Sequence, residues 1–193
     1  LKKLLVIDNY DSFTYNLVQM FMQFDLFISV YRNDKVNLNE ISALSPDYIL
    51  ISPGPRTPAY SGISIPLIKS YYKTTPILGV CLGMQCINEV FGGKTVKGPI
   101  PVHGKTSLVF HENHGIFRSM PEPFRAARYH SLIIQRETEE MIETAHTEDG
   151  IVMGIEHSTY PLHGIQFHPE SFMTQEGYIM IENFLKLERV KDE

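Results

Sequence analysis

Apolar and polar positions alternate along the first half of the chain with two distinct periods. Lys3 to Asp8 is a short apolar run that breaks at Asn9-Tyr10-Asp11, the pattern of a strand and its C-terminal loop. Phe13, Leu17, Met20, Phe21 and Phe24 then recur at helical spacing and predict one buried face. A second strand is expected over Phe27 to Arg32, closing at Asn33-Asp34. Asn37-Leu38-Asn39-Glu40 has the form of a capping box and opens a short helix to Leu44. Tyr48 to Ile51 predicts a third strand, followed by the loop Ser52-Pro53-Gly54-Pro55-Arg56-Thr57-Pro58. Ile63 to Tyr72 reads as helix, Ile77 to Val80 as strand, and Leu82 to Phe91 as a helix stopped by Gly92-Gly93. The second half changes character. Short β-like runs follow at turn spacing over Ser107–Phe110, Arg125–Tyr129, Met141–His146, Val152–Glu156 and His163–Phe167, with Asp149-Gly150 as a hairpin signal. A helix over Gln175 to Glu188 ends the pattern.

Strand–helix alternation at this period predicts an α/β fold: a doubly wound, mostly parallel sheet covered on both faces, with added antiparallel strands in the second half. Functional groups in such sheets gather at the carboxyl ends of the strands, where the Gly/Pro-rich segments fall here. No repeat, low-complexity tract or linker interrupts the 193 residues, so a single domain over 1–193 is expected.

Composition narrows the partners. The formal net charge is -5 and no Lys/Arg cluster occurs, which argues against nucleic-acid binding. No apolar run approaches the roughly 20 residues of a membrane span, and the N-terminus shows no cleavage site, so neither membrane nor signal peptide is expected. Cys81 and Cys86 point about 140° apart if both lie on one helix, so they neither pair nor share a metal. A reducing, cytoplasmic setting follows as the expectation.

The strongest local signal is Pro76-Ile77-Leu78-Gly79-Val80-Cys81-Leu82-Gly83-Met84-Gln85, a strand that runs through Gly-x-Cys-x-Gly into a helix. This is a nucleophile-elbow layout with Cys in the nucleophile position. A sharp turn there strains the backbone and lifts the thiol above the sheet, and the flanking glycines remove colliding Cβ atoms. The helix N-terminus favours thiolate, and the Leu82 N–H is free for an oxyanion. A buried structural cysteine is the competing reading, and the two glycines weigh against it.

Gly164-Ile165-Gln166-Phe167-His168-Pro169-Glu170-Ser171 supplies the partner. Extended geometry puts residues i and i+2 on one side, so Glu170 is placed to orient His168 while the ring faces a nucleophile. Alone, His-Pro-Glu is a weak signal, and a surface His beside a turn proline is the commoner reading. With the elbow, it completes a Cys-His-carboxylate triad. Asp8, Asn9 and Asp11 follow the first strand as Mg²⁺ ligands sometimes do, but no other feature of a phosphate site accompanies them. His111-Glu112-Asn113-His114 has the wrong spacing for a helical two-His zinc motif. No metal and no cofactor is expected.

Gly-Val-Cys-Leu-Gly-Met-Gln with Gly-Ile-Gln-Phe-His-Pro-Glu-Ser closely resembles the class I (triad-type) glutamine amidotransferases, whose fold is flavodoxin-like. Asp8 to Leu17, Ile51 to Pro55, His103 to Thr106 and Arg128 to Leu132 are similar to the glutaminase subunits of anthranilate and aminodeoxychorismate synthases. Met84 and Cys86 depart from the His and the Ala or Ser often seen at those positions. The resemblance covers essentially the whole chain. It implies Cys81, His168 and Glu170 as catalytic residues, with backbone N–H groups of Gly54 and Leu82 as the oxyanion hole. It further implies that Gly54, Gln85, Ser131 and Leu132 bind L-glutamine, and that a larger chorismate-binding synthase subunit is the partner. A stand-alone Cys hydrolase of the same fold and a non-catalytic flavodoxin-like module are the alternatives.

Overall fold

The computed structural model describes residues 1–190. Of the single unit expected over 1–193, the last three positions lie outside the described residues. Among the described residues nine strands form one sheet in the order β2-β1-β3-β4-β9-β8-β7-β5-β6. The parallel half contains β1 (Lys2–Asp8), β2 (Leu26–Arg32), β3 (Tyr48–Ile51), β4 (Ile77–Val80) and β9 (Leu162–Ile165). The antiparallel half continues through β8 (Val152–His157), β7 (Met141–Thr147), β5 (Lys94–His111) and β6 (Phe124–Gln135).

Alternation within the buried strands divides the core in two, because successive side chains leave opposite faces. Leu4, Val6, Tyr48, Leu50, Leu78 and Val80 meet helices α1 (Thr14–Phe21) and α5 (Gly177–Leu185) through Leu17, Phe21, Met180 and Phe184. Leu5, Ile7, Ile49, Ile51 and Ile77 meet α2 (Leu38–Leu44), α3 (Ser64–Tyr71) and α4 (Leu82–Val90) on the other face. Each such fully buried aliphatic side chain stabilises the fold by roughly 1.5–3 kcal/mol against exposure. Tyr48 also donates its hydroxyl to the Leu185 carbonyl at 2.6 Å, fixing α5 to the sheet. The capping box at α2 forms in both directions, with the Asn37 side chain accepting from the Glu40 N–H and Glu40 accepting from the Asn37 N–H.

Several boundaries differ from the periodic reading. The face predicted through Phe13 and Phe24 is shorter: Phe13 is the N-cap of α1, and tight turns after Phe21 place Phe24 outside the helix. Helices expected over Ile63–Tyr72, Leu82–Phe91 and Gln175–Glu188 lose one to three residues at their ends. Strand β5 begins at Lys94, well before the expected Ser107, despite Gly98, Pro99, Pro101 and Gly104. Register shifts between Lys97 and Val102 and between His103 and Lys105 absorb those residues as bulges. Strand β6 extends to Gln135, so Ser131 and Leu132 lie in strand, Leu132 opposite Lys97. β9 stops at Ile165, before the expected Phe167. His168 is held three residues on by its N–H to the Ala127 carbonyl at 3.0 Å. At the tip between β7 and β8, Gly150 takes φ 80° beside Asp149, as that dipeptide predicts.

The packing under α4 rests on two glycines. A Cβ on Gly79 would stand 2.5 Å from the Gly83 backbone, and one on Gly83 would stand 2.4 Å from the Ile51 carbonyl oxygen. Both obstacles are main chain and cannot swing aside. Gly83→Ala is therefore expected to destabilise the fold by about 1–3 kcal/mol, the usual range for overpacking, measured by denaturant titration.

Candidate functional site

Cys81 joins β4 to α4, with φ 54° and ψ -103°. A residue with a Cβ is strained there, and the surroundings hold it by donating the Cys81 N–H to the Ile165 carbonyl at 2.7 Å. That bond ties the elbow to β9, the strand that leads to His168. Cys81 is the N-cap of α4, not a helical residue, so the expected angle between two helical cysteines does not apply. Cys86 lies inside α4 and is fully buried. Burial pushes its thiol up to about 12, which leaves it protonated and inert.

His168 Nδ1 lies 2.5 Å from Glu170 Oε1, with both side chains almost completely buried. Thr174 clamps the backbone beneath the ring: its hydroxyl donates to the His168 carbonyl at 2.8 Å and accepts from the Ala127 N–H at 2.9 Å. Phe13 and Tyr129 meet the imidazole edge-to-face, at centroid distances of 6.1 and 5.1 Å. Nε2 of His168 is buried and makes no hydrogen bond of normal geometry. Burial opposes charge on the ring, yet Cys81 and Glu170 overcome it and raise His168 to about 10.

An unfolded imidazole titrates near 6.5. The raised value means that His168 contributes stability fully below about that pH, and the contribution is lost as pH rises through about 10. Nitrogen NMR of the ring should find imidazolium at pH 8. In Glu170→Gln the midpoint should fall, because a charge and a hydrogen bond that hold the proton are gone. An unshifted midpoint in that variant would contradict the pairing.

A cavity of about 170 Å³ opens over the thiol, lined by Gly54, Pro55, Arg56, Cys81, Gln85, His103, Tyr129, His130, Ser131 and Leu132. Of the site residues expected from the sequence, Gly54, Cys81, Gln85, Ser131 and Leu132 line it; Leu82 follows the nucleophile, and His168, paired with Glu170, packs against the lining residue Tyr129. Gln85 is buried rather than solvent-facing. It donates to Gln166 Oε1 at 3.3 Å, and Gln166 Nε2 donates to Cys81 Sγ at 3.4 Å. Gln166 escaped the sequence reading although it lies two residues before His168, the spacing that shares one side of an extended chain. Arg56, His103, Tyr129 and His130 were likewise not assigned to the site.

The N–H groups of Gly54 and Leu82 donate to no backbone carbonyl among the described residues. Gly54 is required by close approach: a Cβ there would stand 2.6 Å from the Asn9 Cβ and 2.8 Å from the Leu82 Cδ2. Those obstacles belong to the protein itself, not to a ligand. Asn9 holds the loop, its N–H donating to Ser52 Oγ and its Nδ2 to the Ser52 carbonyl, both at 2.9 Å. Loops after β1 and β3 therefore meet at the switch point between neighbouring strands, where α/β sheets place ligands. Asp8 is engaged by Thr14 Oγ1 at 2.9 Å and Arg32 Nε at 3.0 Å, so it is a structural anchor. Among the described residues, no cluster of His, Cys, Asp and Glu is arranged to hold a metal ion. No helix among them is long and apolar enough to cross a membrane.

Known proteins are similar to this chain over most of its length. Over 187 residues the chain is 49% identical to anthranilate synthase component 2 of Thermus thermophilus, covering 95% of this chain and 92% of that one. It is 48% identical over 194 residues to the chloroplastic anthranilate synthase beta subunit 2 of Oryza sativa subsp. japonica, covering 96% of this chain and 71% of that one. A Thermoplasma acidophilum protein described as a GMP synthase subunit has a crystal structure that superposes with a TM-score of 0.85 at 25% identity, covering 96% of this chain and 92% of that one. The family model described as glutamine amidotransferase class-I matches residues 5–187, from the first strand to the end of the last helix. With a strained Cys elbow, a buried His-Glu pair and that match over nearly its full length, the chain belongs to the class I glutamine amidotransferases.

Proposed function

We propose that this chain is the glutaminase subunit of an anthranilate synthase, releasing ammonia from L-glutamine at Cys81 for a larger chorismate-binding subunit. The observation that carries the chemistry is a strained Cys81 that lines the cavity, together with the buried His168–Glu170 pair. Anthranilate is favoured over aminodeoxychorismate by the end-to-end similarity to anthranilate synthase component 2. Action as one domain is part of this reading, and a single sheet that takes strands from residue 2 to residue 165 supports it. The two free, buried cysteines suit a reducing compartment.

In this mechanism the Cys81 thiolate attacks the side-chain amide carbon of glutamine. The oxyanion faces the N–H groups of Gly54 and Leu82, which in comparable sites are worth roughly 2.7–4 kcal/mol per donor. Imidazolium at His168 protonates the departing nitrogen, so ammonia leaves and a γ-glutamyl thioester remains. His168 then takes a proton from water, hydroxide attacks the thioester, glutamate departs and the thiolate is restored. Glu170 keeps Nδ1 protonated and the ring aligned throughout. Ammonium has no lone pair to attack chorismate, so ammonia must pass between docked subunits before it meets bulk water.

Partner docking should raise the glutaminase rate. The oxyanion loop contains Arg56 at φ 67°, a strained non-glycine residue, while Gly54 is wedged between Asn9 and Leu82. Arg56, rather than the crowded Gly54, is therefore the point where the loop changes state. A tenfold rise needs only about 1.4 kcal/mol, less than one oxyanion donor. The test is glutamine hydrolysis by the chain alone, then titrated with the synthase subunit, with and without chorismate. An unchanged kcat/KM would favour a stand-alone hydrolase.

A further inference from the structure

Arg128 is buried in β6, 6% exposed, and two of its nitrogens are committed. Nη1 donates to Ser107 Oγ at 2.9 Å, and Nε donates to His130 Nε2 at 3.0 Å. A guanidinium has only donors, so His130 Nε2 must present its lone pair. The remaining ring nitrogen, Nδ1, then carries the proton and donates to the Leu132 carbonyl at 2.9 Å. In the other tautomer both bonds fail together, with N–H facing N–H and lone pair facing carbonyl. Burial, reinforced by the Arg128 charge against the pull of the Leu132 carbonyl, lowers His130 to about 4, so the ring stays neutral at working pH.

We propose that Arg128 is a positioning residue for glutamine recognition: through His130 it fixes the Ser131–Leu132 segment that lines the substrate cavity. The role rests on the reading of that cavity as the glutamine site. Arg128 itself does not line the cavity; His130, Ser131 and Leu132 do. Its effect is therefore on the shape presented to the substrate, not on the reacting atoms. The same chain of bonds joins β5 to β6, so the segment is set from the neighbouring strand as well as from its own.

The test combines two readouts on the complex with the synthase subunit. Nitrogen NMR of the wild-type chain, without substrate, should show His130 protonated on Nδ1 and accepting at Nε2. Arg128→Met should raise KM for glutamine on the order of tenfold, the cost of one lost hydrogen bond, with kcat and ammonia-driven synthesis near wild type. His130→Phe should raise KM similarly. An Nε2-protonated His130, an unchanged KM, or a fall in kcat in step with lost thermal stability would overturn the role. A wild-type complex with no glutamine-dependent activity would overturn the glutamine-site reading and this role with it, whereas a failure confined to the variants rejects this role alone.

Discussion

Cys81→Ser is expected to abolish glutamine-dependent anthranilate formation by the complex while leaving ammonia-driven formation largely intact. Serine is close in size to cysteine and fills the same nearly closed site, so the fold and the docking surface persist. A hydroxyl next to His168 does not supply a thiolate, and attack on the amide stops. Losing the nucleophile of a comparable triad costs on the order of 10⁴-fold or more in turnover. The partner owns the ammonia chemistry, so exogenous ammonium at high pH bypasses the defect. Cys86→Ser is the control: its side chain lies under α4, away from the cavity, and substantial glutaminase activity should survive. If both activities fell together in Cys81→Ser, the division of labour between subunits would be wrong.

His168→Ala is expected to be at least as damaging as Glu170→Ala. Without the imidazole no group protonates the departing nitrogen or activates water, and the loss should again be on the order of 10⁴-fold. Without Glu170 the ring remains, pinned from below by Thr174 and at its edges by Phe13 and Tyr129. Its Nδ1 then loses its acceptor and the imidazolium loses a neighbouring charge. Turnover should fall steeply but less far, because the orienting acid acts only through the ring. Near-normal turnover in Glu170→Ala, measured on the complex at saturating glutamine, would contradict the triad.

Much of this site was legible because its chemistry is local in sequence. Gly79, Cys81 and Gly83 span five residues, and the clash distances at the two glycines show why a side chain there would collide with main chain. His168 and Glu170 face each other through the two-residue period of extended chain. What sequence could not show depends on distant pairing. Ser131 and Leu132 fall beyond the expected strand Arg125–Tyr129 because Lys97, the partner of Leu132, opens a segment rich in Gly and Pro, and only bulges let that segment join the sheet. Phe13 read as a core position of α1, whereas one residue of helix less turns it onto the His168 ring. The need for Gly54 also comes from afar, since Asn9 crowds it from the loop after β1 and Leu82 from the first turn of α4.

The central claim, that Cys81 is the glutamine-dependent nucleophile, is tested most directly by covalent labelling. The complex is incubated with a glutamine analogue that carries an electrophilic carbon in place of the side-chain amide, and the labelled residue is located by mass spectrometry. The expected result is stoichiometric modification of Cys81, slowed by added glutamine and absent from Cys86, whose protonated and buried thiol cannot react. Labelling that glutamine does not slow, or labelling of Cys86 in place of Cys81, would contradict it.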